Sequence, residues 1–310
     1  MRIVYMGTPD FTVYPLEDLL AAGHEVVAVF TKENKPKGRG QKMVQPALMK
    51  FAQSHNIPIF TPTTLRNTAI QEKIASFDAE TIVVFAYSLI LPAEILYMPK
   101  YGCINIHPSL LPLWRGASPV ASSILHGDSV GGVSVMHMDE GLDTGAVFGQ
   151  LTVEIDEQDT TAILTDKLAR LSGSLLCKVL DSLQVGQICP LPQDNSAATY
   201  SVKFEKESGL LDFNLSAYDL KRRVMAYNPW PCAYTFLHGK MLKILTATYS
   251  IDSAVNGLET GSVVAFDNSF AIVTGKGLLV PLSVQLEGKK AVSASDFRNG
   301  AGDLLNAKLG

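Results

Sequence analysis

An α/β sheet domain followed by a small all-β domain is the architecture this sequence predicts, on three observations. Apolar strand-like runs alternate with helical patterns through the first 189 residues. A polar stretch with two prolines, glutamine, asparagine and serine fills 190–202, the composition of a linker. Short apolar runs punctuated by glycine then occupy 203–310.

Residues 3–6, 26–30, 57–60, 81–85 and 103–106 are mainly Ile, Val, Phe and Ala, as in strands buried on both faces. Between them, 14–22, 46–55 and 69–77 repeat apolar residues at three and four, the stripe of an amphipathic helix. This alternation implies crossover connections, hence a Rossmann-like, mostly parallel sheet with helices on its faces. Residues 132–138 and 147–155 read as two more strands around the acidic loop 139–145, and 160–183 as a long helix that covers one face. The opening strand is followed by Gly7-Thr8-Pro9-Asp10. A dinucleotide fingerprint needs three glycines and free amides there, so nicotinamide chemistry is disfavoured.

In the second domain a helix is capped by Ser216 with Asp219 three residues on, an acidic variant of the capping box. Five strand-like runs follow at 233–237, 241–249, 261–266, 271–274 and 278–284, with Gly239, Gly257, Gly275 and Gly277 among them. Five short strands after a helical lead-in suggest a small OB-type β-barrel, an architecture that binds oligonucleotides. The expected organisation is a catalytic domain at 1–189, a linker at 190–202 and the barrel at 203–310.

With 310 residues, 47% hydrophobic and 18% charged, the chain suits two globular domains. No apolar run approaches the ~18 residues that span a bilayer, and Met1 leads straight into a strand, so neither a membrane span nor a leader is expected. Cys103, Cys177, Cys189 and Cys232 are scattered without a Cys-x-x-Cys pair, so no metal or disulfide framework is expected, in keeping with a cytoplasmic location. The net charge of −4 divides unevenly. Residues 1–202 carry 14 Lys and Arg against 20 Asp and Glu, a net of −6, and 203–310 carry 12 against 10, a net of +2. Nothing resembles a repeat or zipper, so a monomer is expected.

The chemistry concentrates in Asn105-Ile106-His107-Pro108-Ser109-Leu110-Leu111-Pro112 and in Asp143 of the Leu142-Asp143-Thr144-Gly145 loop. Two residues apart on a strand, Asn105 and His107 share a face, and Pro108 turns the chain out of the sheet. An amide and an imidazole side by side at the carboxyl end of a strand, joined by a carboxylate, suit acyl transfer without an enzyme nucleophile.

The Asn-x-His-x-Ser-Leu-Leu-Pro string, the later Leu-Asp-Thr-Gly and their spacing resemble the 10-formyltetrahydrofolate-dependent formyltransferases. Residues 6–11, the basic loop 37–42, 86–92, Trp114-Arg115-Gly116 and Asn228-Pro229-Trp230-Pro231 are similar to the members that act on initiator methionyl-tRNA. Ser88 departs from the glycine expected there. The resemblance implies transfer of formyl from 10-formyltetrahydrofolate to the methionine amine, by direct attack. It implies Asn105 and a protonated His107 as oxyanion donors, with Asp143 orienting His107 and relaying the proton. Ser109, Leu110, Leu111 and Pro112, with backbone from Leu89, Ile90, Leu91, Asp139, Glu140 and Gly141, would line the folate pocket. Lys37, Arg39 and Lys42 in the basic loop, and Arg222, Arg223, Lys240 and Lys243 in the barrel domain, would contact tRNA phosphates. A sugar-amine or glycinamide-ribonucleotide formyltransferase would share the three catalytic residues, as would a formyltetrahydrofolate hydrolase. An OB-type RNA-binding protein with an inert α/β scaffold would have no use for them.

Overall fold

The computed structural model describes residues 1–33, 35–37, 42–251, 257–305 and 307–310, with backbone only for 35–37 and 42–44. The chain divides into two compact units. One comprises Met1–Pro119, Val130–Val153 and Thr165–Ser201, the other Val120–Ser129, Glu154–Leu164 and Val202–Gly310.

The strands of the sheet unit are β1 (Arg2–Gly7), β2 (Glu25–Phe30), β3 (Lys35–Lys37), β4 (Lys42–Val44), β5 (Ile59–Phe60), β6 (Thr81–Phe85), β7 (Cys103–His107), β8 (Val130–His137) and β9 (Val147–Glu154). Among the described residues seven of them form one sheet, ordered β5-β2-β1-β6-β7-β8-β9. Its first five strands pair parallel, and β8 runs antiparallel to β7. β3 and β4 pair antiparallel with each other, apart from this sheet, at the two ends of the basic loop. The helices before the last strand are α1 (Val13–Ala21), α2 (Ala47–Ser54), α3 (Thr68–Ala75), α4 (Ala93–Leu96) and α5 (Pro119–His126); α6 (Thr161–Gln184) follows.

Both faces of the sheet are buried, which is why its strands read as continuous apolar runs. Ile3, Tyr5, Val83, Phe85, Ile104 and Ile106 pack with Leu16 and Leu19 of α1, Leu48 of α2, and Leu176 and Leu180 of α6. The alternate residues Val4, Met6, Ile82, Val84 and Cys103 meet Ile74 of α3 and Ile95 and Leu96 of α4. Each such large apolar side chain contributes about 1.5–3 kcal/mol by leaving water.

The segment expected as a linker is laid onto the sheet unit. Val147 and Leu191 exchange backbone hydrogen bonds of 2.8 Å. Further on, Thr199 N donates to Pro112 O (3.2 Å), Arg115 N to Thr199 O (2.9 Å) and Ser201 N to Arg115 O (2.8 Å). Residues 190–201 thus lie within the first unit, because their backbone groups find partners there instead of water. The contrast with the expected boundary arises because polar composition marks irregular chain, not detached chain.

In the second unit, β10 (Ala233–Leu237), β11 (Lys240–Ser250), β12 (Val263–Phe266), β13 (Ser269–Val273), β14 (Leu278–Leu286) and β15 (Val292–Ser293) join α7 (Ala217–Ala226) and α8 (Ala294–Gly300). The antiparallel sheet runs β10-β11-β14-β13-β12, with β15 beside β14. Residues 307–310 bridge its two edges: Val263 N donates to Ala307 O (2.9 Å), Leu309 N to Gly261 O (2.9 Å) and Gly310 N to Phe236 O (3.2 Å). The Ser216 hydroxyl caps α7 as the sequence suggests, accepting from Asp219 N at 3.1 Å. Ser293 and Asp296 cap α8 in the same way, at 3.0 Å. Among the described residues no helix is long and apolar enough to cross a membrane.

Candidate active site

On β7 the side chains alternate as a strand requires. Ile104 and Ile106 enter one core and Cys103 the other, so Asn105 and His107 share the face of Cys103. His107 is 4% exposed and Asn105 is half-buried. Burial pushes the Cys103 thiol up to about 12, which leaves no thiolate beside the amide to act as nucleophile.

The third group arrives from the loop between β8 and β9. That loop departs level with the start of β7, where Met138 N donates to Cys103 O (2.8 Å), and returns at Ala146, whose carbonyl accepts from His137 N (2.8 Å). Asp139 shapes it, its Oδ1 accepting from Gly141 N (3.0 Å) and Thr144 Oγ1 (2.7 Å). Gly145 allows closure: a Cβ there would sit 1.8 Å from His137 O. Between these ties, Asp143 adopts φ +53° and brings Oδ2 to 3.8 Å from His107 Nδ1. The same oxygen accepts from Gly116 N at 2.7 Å.

The other imidazole nitrogen, Nε2, lies 3.1 Å from Trp114 O. A carbonyl only accepts, so Nε2 carries the hydrogen and Nδ1 is the atom free to take a proton. Burial lowers the His107 pKa, with Asp143 and then the Trp114 hydrogen bond opposing. The resting imidazole is therefore neutral near pH 7, in contrast to the protonated donor expected from the sequence. That expectation weighed the carboxylate and lacked the desolvation, which sequence does not display.

The backbone at Trp114 (φ +58°), Gly116 (φ +111°) and Ala86 (φ +49°) is left-handed like that at Asp143. Such conformations persist in non-glycine residues where surrounding contacts hold them, and they cluster at functional sites.

Residues 1–180 match the family model of formyl transferases, and 203–302 that of their C-terminal domain. The chain belongs to the formyl transferase family. It is 42% identical over 304 residues to the methionyl-tRNA formyltransferase of Lachnospira eligens, across 97% of this chain and 96% of that one. Among solved structures it is similar to WlaRD, a sugar 3N-formyltransferase in the presence of dTDP and 5-N-formyl-THF, with TM-score 0.68 at 20% identity over 94% of this chain and 99% of that one. The N-formyltransferase of Helicobacter canadensis, in complex with folinic acid and dTDP-3-aminofucose, gives TM-score 0.64 at 18% identity over 90% and 98% of the two chains. At such identities these two speak for the fold alone.

The other residues picked out in this formyl transferase from sequence fall into three groups. Ser109, Leu110, Leu111 and Pro112 form the turn after β7, tied down from within. Ser109 Oγ donates to Leu113 O (2.6 Å), Ser134 Oγ to Ser109 O (2.6 Å), and Gln150 Nε2 to Leu111 O (2.9 Å). Leu91 is buried while Ile90 is 79% exposed, Leu89 lies between them in burial, and the Tyr97 hydroxyl donates to Glu140 at 3.3 Å. Tyr87, just before this stretch, has a buried hydroxyl without a hydrogen-bond partner, an orphan that a polar ligand would satisfy.

Of the basic residues, Arg39 lies outside the described residues, and Lys37 faces Lys42 across the β3–β4 backbone. Arg222 is engaged: its Nη2 pairs with Asp219 at 2.5 Å and its guanidinium lies 4.6 Å from the Tyr218 ring. Arg223 Nη1 donates to the Tyr227 hydroxyl at 3.3 Å. Lys240 is exposed and Lys243 half-buried.

Sequence reasoning missed Gln193 altogether and gave Arg115 no role. Arg115 is 1% exposed, with Nε and Nη2 donating to Gln193 Oε1 at 3.0 and 2.8 Å. The one available signal was a charged residue placed directly before a glycine, in a turn rich in apolar neighbours.

Proposed function

We propose that this chain transfers the formyl group of 10-formyltetrahydrofolate to the amino group of methionine on initiator methionyl-tRNA. Full-length similarity to a methionyl-tRNA formyltransferase, across both domains, is the observation that carries the substrate. The facing of His107 Nδ1 and Asp143 Oδ2 at 3.8 Å supports the chemistry.

In the reaction the amine nitrogen bonds to the formyl carbon, and the carbonyl pair moves onto oxygen. The Asn105 amide donates to that oxyanion, an interaction stronger in the transition state than in the ground state. The nitrogen becomes cationic as it bonds and gives its proton to His107 Nδ1. The Asp143 carboxylate stabilises the imidazolium. As the oxyanion collapses, the carbon–nitrogen bond to folate breaks and the proton passes to the departing folate nitrogen. Atoms and charge balance without a covalent enzyme intermediate.

Backbone from Leu89 to Leu91 and from Asp139 to Gly141, with the turn 109–112, holds the pterin, since irregular backbone offers alternating donors and acceptors to a flat heterocycle. The Tyr87 orphan hydroxyl fits that reading. Lys37, Arg39 and Lys42 contact the acceptor stem, and Arg223, Lys240 and Lys243 steer the rest of the tRNA. We place the catalytic function in the sheet unit and tRNA binding in the β domain, in a cytoplasmic monomer. The test supplies 10-formyltetrahydrofolate with methionyl-tRNA, with free or sugar amines, or with water alone. Tetrahydrofolate release that requires methionyl-tRNA supports the proposal, and equal release without it rejects it.

A further inference from the structure

The guanidinium of Arg115, nearly devoid of solvent, is received by neutral acceptors. It reaches Gln193 Oε1 twice, Asn195 Oδ1 at 2.8 Å and the Tyr200 hydroxyl at 3.5 Å. Gln193 is held at one end by this cation and spends the other end elsewhere. Its Nε2 donates to the carbonyls of Asp143 at 2.8 Å and Gly145 at 2.7 Å. Both amide hydrogens and the oxygen are thereby used. The two carbonyls bracket the turn in which Asp143 holds its left-handed backbone.

The residues flanking Arg115 touch the catalytic pair directly, Trp114 O on His107 Nε2 and Gly116 N on Asp143 Oδ2. One anchor therefore controls both partners of the His107–Asp143 facing: through its chain neighbours, and through Gln193. We infer that Gln193 is a positioning residue, which locks the Asp143–Gly145 turn to the Arg115 anchor and so aims the Asp143 carboxylate at His107. This inference rests on the catalytic assignment of Asp143 above.

The chemistry of the link demands an amide. A carboxylate at 193 would still accept from Arg115, as an ion pair, but would offer only lone pairs to two carbonyl oxygens. Gln193→Glu thus keeps the anchor and breaks the aim. In the full chain, with 10-formyltetrahydrofolate and methionyl-tRNA, kcat is expected to fall on the order of tenfold to 100-fold, because small displacements of a catalytic group carry such penalties. KM for the folate is expected to stay within about twofold. In histidine-labelled protein followed by NMR, the His107 titration is expected to move toward acid, the same direction expected for Asp143→Asn. Combined with Asp143→Asn, the second change is expected to add less than about twofold, the mark of residues acting through one another. Gln193→Met, which removes both ends at similar length, decides the matter by the same readouts if Gln193→Glu does not fold.

Wild-type kcat and an unmoved His107 titration in these variants would overturn the inference while leaving the catalytic assignment standing. A loss of equal size on the Asp143→Asn background would also overturn it. Wild-type turnover in Asp143→Asn alone would instead remove the catalytic assignment, and this inference with it.

Discussion

Nδ1 of His107 and Oδ2 of Asp143 face each other at 3.8 Å, beyond hydrogen-bond length yet well inside the range at which a carboxylate favours a cation. Burial is the larger influence on His107 and lowers its pKa, while Asp143 raises it. The prediction is a His107 titration below the ordinary value of about 6.5, and lower still in Asp143→Asn, where the opposing cause is gone. NMR titration of histidine-labelled protein measures both, with His107→Gln assigning the signal. An unchanged titration in Asp143→Asn would show that the carboxylate does not act through charge.

The same burial has a consequence for stability. A histidine whose pKa is depressed by folding binds more protons when unfolded, so its contribution is fully present above the unfolded pKa and declines as pH falls through about 6.5. His24, 6% exposed and lowered chiefly by burial, acts in the same direction. The thermal midpoint is therefore expected to drop between pH 7 and pH 5, and to drop less in His107→Gln. An equal slope in that variant would assign the acid sensitivity elsewhere.

How much of this was legible in the sequence depends on the kind of feature. Asn105 and His107 were readable because the period of a strand fixes which side chains share a face, and the apolar neighbours Ile104 and Ile106 identify the strand. The mostly parallel sheet follows from the alternation of strands and helices, and the Ser216 cap from its own chemistry. The α8 cap at Ser293 and Asp296 carries the same local signal. The neutral state of His107 was not readable, because desolvation depends on what packs over the ring. Gln193 lies 50 residues from the carbonyl of Asp143, in a stretch whose composition says only that it is irregular. Its partners are main-chain oxygens, which leave no trace in residue identity.

In the proposed mechanism Asn105 serves the oxyanion and His107 the proton, so removal of either is expected to be severe. Loss of a single oxyanion donor typically costs about 2.7–4 kcal/mol of transition-state stabilisation. Asn105→Ala is thus expected to lower kcat at least about 100-fold with folate affinity retained, and His107→Ala comparably. Single-turnover kinetics with methionyl-tRNA separate this loss from product release. Turnover within about tenfold of wild type in Asn105→Ala would remove the amide from the oxyanion site.

Gly145 offers a test that leaves all three side chains of the proposed mechanism in place. A methyl group there would lie 1.8 Å from His137 O and 2.9 Å from its carbonyl carbon, and backbone cannot swing aside as a side-chain end can. Gly145→Ala is expected to push the loop outward, separating Asp143 from His107. The variant should lose activity with Asn105 and His107 intact, and the His107 titration should shift toward acid as in Asp143→Asn. Wild-type kcat would mean that the loop tolerates the displacement.

The basic residues of the β domain divide by what they already touch. Arg222 is committed to Asp219 and to the Tyr218 ring, so its truncation is expected to lower thermal stability with little effect on tRNA use. Lys240 is exposed, and Lys243 points outward because its neighbours Leu242 and Ile244 are buried. If these two lysines neutralise phosphates, Lys240→Ala with Lys243→Ala raises KM for methionyl-tRNA, leaves the folate KM unchanged, and reduces the slope of log affinity against log salt by about one for each phosphate no longer neutralised. An unaltered slope in the double variant would assign tRNA steering to the basic loop instead. Arg39→Ala, with its own salt series, then measures that contribution directly.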